Sequence, residues 1–140
     1  MKRRQHKKFS RQLFEATLAG DAVRVRALLK RGAQAERPYD DGATPLYLAS
    51  VQGEADVARV LLRAGAAPDT ESAGDGSQGT PLCAAACWGH LETVRELLAH
   101  GADPNLREDH GTGWSPLEWA NHGPHPATAE LLVTAGAHRT

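Results

Sequence analysis

A six-residue ending recurs four times along this chain and constrains its fold more than any other feature. Leu-Leu-x-x-Gly-Ala spans 28 to 33, 61 to 66 and 97 to 102, and returns with Val in second place at 132 to 137. The glycines Gly32, Gly65, Gly101 and Gly136 stand 33, 36 and 35 residues apart. Upstream of each ending the segments also align. Residues 44 to 69 read TPLYLASVQGEADVARVLLRAGAAPD, residues 80 to 105 read TPLCAAACWGHLETVRELLAHGADPN, and residues 115 to 140 read SPLEWANHGPHPATAELLVTAGAHRT. Residues 13 to 36 hold a degenerate first copy. Four units in register across 140 residues imply a repeat architecture, in which each unit buries its apolar face only against its neighbours.

The positions explain themselves as two short helices per unit. Thr44, Thr80 and Ser115 stand where a side-chain oxygen can accept from the first free helix amides. Pro45, Pro81 and Pro116 follow at the first helical position, where a missing N–H costs nothing. Leu46, Leu82 and Leu117 begin the buried face, and Ala49, Ala85 and Ala120 allow close helix approach. Gly53 and Gly89 end the first helix. Val57, Leu61 and Leu62, like Val94, Leu97 and Leu98, repeat at helical spacing and mark the buried stripe of the second. Only 5% of residues are aromatic, and Ala and Leu dominate a 41% hydrophobic chain, which suits close-packed helices better than a sheet.

These residues resemble the ankyrin repeat family, whose Thr-Pro-Leu-His-x-Ala signature they largely keep. The resemblance implies an all-α solenoid of helix-turn-helix units joined by short β-hairpin-like fingers. It covers residues 10 to 140, with repeats near 10–36, 40–69, 76–105 and 111–140. Tyr47, Cys83 and Glu118 replace the signature His. Gly123-Pro124-His125-Pro126 replaces the Gly-His turn of the last repeat, so a distorted junction is expected there. At the N-terminus, Ser10 is expected to cap the first helix, with Phe9 and Phe14 as a hydrophobic staple. The last repeat carries no extra capping helix. The connectors 70–79 and 106–114 exceed the period by three and two residues, and read as surface loops. Drift or shaping of a binding face would each account for them.

Charge is uneven. Residues 1 to 12 hold six Lys and Arg and no acid, whereas residues 13 to 140 hold ten Lys and Arg and all 17 acids. Residues 1–9 are expected to be a disordered basic tail. An electrostatic arm for an acidic partner or nucleic acid, or a targeting segment, are the other readings. The acidic remainder disfavours nucleic acid outside residues 1–12 and suits a partner with a basic patch. Two cysteines, the lack of a long apolar run and the lack of an apolar stretch behind the N-terminal charge imply a reducing, cytoplasmic setting. Scarce Lys after residue 8, where only Lys30 remains, with abundant Ala, Arg and Gly, suggests a GC-rich, bacterial genome.

The resemblance implies that finger residues and the end of each first helix are free to bind. In the second repeat these are Asp40, Asp41, Ala43, Val51 and Gln52. In the third they are Ser77, Gly79, Cys87 and Trp88, and in the fourth Thr112, Trp114, His122 and Gly123. Tyr47, Cys83 and Glu118 border the same surface. Trp88 and Trp114 point to an interface, since the scaffold needs no aromatic at either place and Trp is enriched among hot spots. Trp119 falls where the family buries Leu and is expected in the core.

No metal site is expected. His110, His122 and His125 are near in sequence but interrupted by Pro, and no Cys accompanies them. Cys83 and Cys87, at i and i+4, lack further ligands and read as reduced thiols. Glu92 and Glu96 read as a solvated convex face. No phosphate loop, nucleophile elbow or His-Glu-x-x-His is present, so neither enzyme activity nor a cofactor is expected. The expected function is binding a protein partner through the concave face, as a monomer. A specific inhibitor or immunity-type protein that blocks an enzyme is the alternative, followed by association through the basic tail.

Overall fold

A computed structural model describes residues 3–39, 41–74 and 77–138 of the chain. Four helix pairs carry the fold: α1 (Arg3–Leu18) with α2 (Ala22–Lys30), α3 (Pro45–Gln52) with α4 (Ala55–Arg63), α5 (Pro81–Cys87) with α6 (Leu91–Ala99), and α8 (Pro116–His122) with α9 (Pro126–Thr134). First helices stack in the order α1, α3, α5, α8, and second helices in the order α2, α4, α6, α9. The result is an all-α solenoid with its core between the two rows. Val25, Ala49, Val57, Leu61, Ala85, Val94, Leu97, Ala120 and Leu132 are fully buried there.

The recurrent ending is a Schellman cap. In each repeat the Ala amide donates to the carbonyl of the first Leu, at 3.0 Å for Ala33 to Leu28, 3.1 Å for Ala66 to Leu61, 3.0 Å for Ala102 to Leu97 and 2.9 Å for Ala137 to Leu132. The intervening glycine takes φ between 94° and 110°, which Cβ-bearing residues rarely adopt. The first Leu and the Ala are both buried, so one motif stops the helix and closes the core.

Helix starts are equally local. Thr44 Oγ1 accepts from the Tyr47 amide at 3.1 Å, and Thr80 Oγ1 from Cys83 at 3.2 Å. Ser115 Oγ accepts from Glu118 at 3.2 Å, and Glu118 Oε1 accepts in return from the Ser115 amide at 3.3 Å.

The inner turns couple neighbouring repeats. His90 Nε2 lies 3.0 Å from the Val51 carbonyl, and His125 Nε2 lies 2.9 Å from that of Cys87. A carbonyl only accepts, so both rings donate from Nε2. Each ring fills the space over Gly53 or Gly89 that a Cβ would occupy, and the Glu54 carboxylate fills that place over Gly20. The junction expected to be distorted keeps this device. Pro124 cannot adopt the left-handed turn of Gly89, yet His125 still donates its amide to Ala120 at 2.7 Å, as His90 does to Ala85 at 2.9 Å. The departure lies at Pro124, which stands where Gly89 takes a φ of 70°, whereas Gly123 has a negative φ like its equivalent Trp88.

Three expectations need correction. From Arg3 onward the N-terminal segment is helical where a disordered tail was expected: α1 begins at Arg3 and crosses the expected boundary at residues 9 and 10. Residues 3–18 contain no Gly or Pro and only one β-branched residue, so nothing interrupts the helix. Ser10 therefore lies inside α1 and caps nothing. Phe9 and Phe14 also part company, Phe14 packing edge-on against Tyr39 at 4.9 Å while Arg31 sits 5.8 Å from the Phe9 ring. Among the described residues, one finger is a β-hairpin, β1 (Ser72–Gly74) with β2 (Ser77–Gly79), paired Ser72 to Gly79. At the second repeat's finger the Tyr39 amide donates to the Ala43 carbonyl at 2.8 Å and the Gly42 amide to the Tyr39 carbonyl at 2.9 Å. The one at 106–114 turns through α7 (Glu108–Gly111), where Asp109 and His110 take φ of 51° and 54°.

Candidate functional site

The first helices and fingers place the candidate residues in three columns along one face. Equivalent positions run Tyr47, Cys83, Glu118 at the helix start, then Val51, Cys87, His122 and finally Gln52, Trp88, Gly123 at its end.

On the second repeat, Asp41 is exposed and its carboxylate accepts from the Ala43 amide at 3.0 Å. Ala43 itself is buried, contrary to expectation: its carbonyl accepts from the Tyr39 amide at 2.8 Å, and this return turn carries the methyl inward. Tyr47 and Val51 are half-buried, and Gln52 is exposed. Asp40 lies outside the described residues, as does the side chain of Ser77.

The third repeat presents one large group. Trp88 caps α5 with 62% of its surface exposed. Its equivalent in the last repeat is Gly123, which has no side chain to cover it. Cys87 is half-buried, and burial raises its thiol pKa. Cys83, expected at the border of the surface, is fully buried beneath the carbonyls of Trp114 and Leu106, 3.7 and 3.8 Å from Sγ. Burial pushes its pKa up to about 12, so it stays a protonated, unreactive thiol. Gly79 is buried because the Glu108 carboxylate lies where its Cβ would be.

The fourth repeat gathers an aromatic cluster. Trp114, 40% exposed, lies 4.7 Å from the Trp119 ring and 5.1 Å, edge-on, from His122. Trp119, expected in the core, packs against it without being fully enclosed. It is half-buried in the place of Ala84, and its Nε1 donates to Glu108 Oε2 at 3.0 Å. An indole fits there because no described helix stacks beyond α8. Glu118 is committed elsewhere, to Arg107 at 2.7 Å and to the capping box. Thr112, His122 and Gly123 are exposed.

Glu108 was missed by sequence reasoning. It sits in the acidic stretch Arg107-Glu108-Asp109, and nothing local shows that its side chain folds back onto the helices. Burial raises its pKa, partly offset by the Trp119 hydrogen bond. Glu96 was also misplaced. It is not a freely solvated convex acid, since Arg59 Nε holds it at 2.9 Å and bridges α4 to α6. The His125 ring is occupied by the Cys87 carbonyl, and among the described residues no three His, Cys, Asp or Glu converge as metal ligands.

The ankyrin family model of three repeat copies matches residues 68–139, and the single-repeat ankyrin model matches residues 41–72. The chain belongs to the ankyrin repeat family. It is similar to protein phosphatase 1 regulatory subunit 27 of Mus musculus, 40% identical over 63 residues. That match covers 45% of this chain and 40% of the relative's length. Ankyrin stacks of this kind are protein-interaction modules. Among the described residues, no helix is long and apolar enough to cross a membrane.

Proposed function

We propose that this ankyrin stack binds a partner protein through the face formed by its first helices and fingers, with Trp88 and the Trp114–His122 pair as the anchors. The exposed Trp88 carries this reading. A largely uncovered indole stabilises nothing in the repeat, whereas a buried indole is a common centre of binding energy. Tyr47, Val51, Gln52, Cys87 and His122 supply the surround, and Asp41 the acidic rim. Stacked helices held by capping and His–carbonyl bonds are pre-organised, so binding costs little ordering.

A pull-down from host lysate tests this, using wild type, Trp88→Ala and Trp88→Ala/Trp114→Ala. A protein captured by wild type and lost with Trp88→Ala supports the reading. Identical captures from all three would move the interface elsewhere.

A second reading rests on the relative named as a phosphatase regulatory subunit. It is that the captured partner is an enzyme whose activity changes on binding, as an inhibitor or immunity-type protein would cause. Assaying the partner with and without an equimolar amount of this chain separates regulation from simple tethering.

A further inference from the structure

The strongest charge on the molecule lies away from the tryptophans. Residues 1–37 hold eleven Lys and Arg against three acids, a formal +8, while residues 38–140 hold five against fourteen, a formal -9. The boundary falls after the first repeat. The excess is therefore wider than the N-terminal segment, because α2 adds Arg24, Arg26 and Lys30, and its cap adds Arg31.

The fold concentrates these cations. Helix α1 has 16 residues, against 8, 7 and 7 for α3, α5 and α8. Its first two turns therefore overhang the stack by about 12 Å. Positions 3, 4, 7, 8 and 11 fall within one arc of about 140°, opposite the buried Leu13 and Ala16. The Arg31–Phe9 contact brings the end of α2 against the Leu13 side of this overhang, across the helix from the arc of α1 cations. Lys7, Lys8 and Arg11 on one side of the overhang and Lys30 and Arg31 on the other share one end of the repeat, and all are exposed. None of the five makes an ion pair among the described residues, whereas Arg59, Arg95 and Arg107 each do.

We infer that the outer end of the first repeat, built from the α1 overhang and the end of α2, docks the phosphate backbone of a nucleic acid without reading its bases. Unpaired cations facing solvent lose little on meeting phosphates, and released counterions drive the association. A protein partner would need apolar anchors at the patch, and among the described residues the exposed large apolar side chains lie elsewhere. A bilayer would need them among the cations. Leu18 and Val23, the exposed pair on this repeat, instead flank the far turn beside Glu15 and Asp21.

The test is fluorescence anisotropy on the full chain with a labelled mixed-sequence DNA duplex of about 20 base pairs. Binding should weaken about 250-fold between about 50 and 200 mM salt, with a log–log slope near -4, as expected for four to five phosphates. Lys7→Gln/Lys8→Gln/Arg11→Gln should weaken low-salt binding by about tenfold or more and flatten the slope. Lys30→Gln/Arg31→Gln should do the same to a smaller degree, and serves alone if the triple variant melts early. Trp88→Ala should bind as wild type does, which separates this surface from the one proposed for the protein partner. The inference is overturned if the duplex does not bind at low salt or if the charge variants bind it equally. It is also overturned if polyglutamate or phosphatidylserine vesicles compete as well as unlabelled duplex at equal charge, which would assign the patch to an acidic protein or a membrane.

Discussion

The third and fourth repeats share every structural device and differ in what they show to solvent. Each starts with a hydroxyl cap and Pro, each turns on a His whose Nε2 donates to the preceding repeat, and each stops in a Schellman cap. The third lies between neighbours, and Leu82 to Ala86 along α5 are all buried. Among the described residues the fourth has a neighbour on one side, and its α8 places Trp119 and Asn121 where α5 has Ala84 and Ala86. The devices belong to the repeat, whereas the identity of the remaining side chains depends on where in the stack the repeat sits.

Core truncation should expose that difference most. Leu97→Ala and Leu132→Ala remove equally buried side chains. Leu97→Ala should cost about 3–4 kcal/mol and lower a single denaturation midpoint, since its repeat holds neighbours on both sides. Leu132→Ala should release the last repeat in an earlier, smaller transition. Equal losses in one transition would show that the terminal repeat is as tightly coupled as the inner one.

Next come the two histidines. His90→Ala and His125→Ala each remove a donor to a half-buried turn, and each should cost about 1–2 kcal/mol in urea denaturation. Matching losses would show that Pro124 leaves the device intact. A negligible loss at His125 would mean that the last junction gains nothing from it.

The tryptophans should diverge by less. Trp114→Ala should cost about 1 kcal/mol through lost ring packing on Trp119 and His122. Trp88→Ala should stay within about 0.5 kcal/mol, as surface substitutions do. A large loss at Trp88 would assign it to the scaffold and undercut its role as an anchor.

Glu108 gives the smallest effect. Its pKa is raised in the folded chain, so the fold binds its proton more tightly than the unfolded chain does. Stability from this group should therefore fall as pH rises from the ordinary carboxylate value through the folded one. Glu108→Gln, which keeps an acceptor for Trp119, should flatten that fall in thermal melts between about pH 4 and 7. An unchanged pH profile would show that the carboxylate is effectively solvated.

Most of the fold was legible because its signals are local. A Thr-Pro-Leu start and a Leu-Leu-x-x-Gly-Ala stop each act within one helical turn, so sequence spacing translates directly into geometry. The site was legible only in part. Trp88 and Gln52 stand exposed where the repeat pattern put them. Ala43, Cys83 and Trp119 did not follow it, because burial there depends on how a finger folds back or on whether another helix stacks beyond. Glu108 carried no local signal at all, since its environment comes from Gly79 and Trp119 on other elements.

The sequence by itself determined the helix-turn-helix repeat, the hydroxyl caps at Thr44, Thr80 and Ser115, the Leu-Leu-x-x-Gly-Ala stops and the segregation of charge, because each depends on residue type and short-range spacing. Only the tertiary structure decided that the basic segment continues the first helix and meets the end of α2, that His125 preserves a turn which Pro124 was expected to break, and that a finger carboxylate folds onto the indole of Trp119. Those outcomes depend on side chains meeting across repeats, where loop path and stacking set the distances and sequence separation does not.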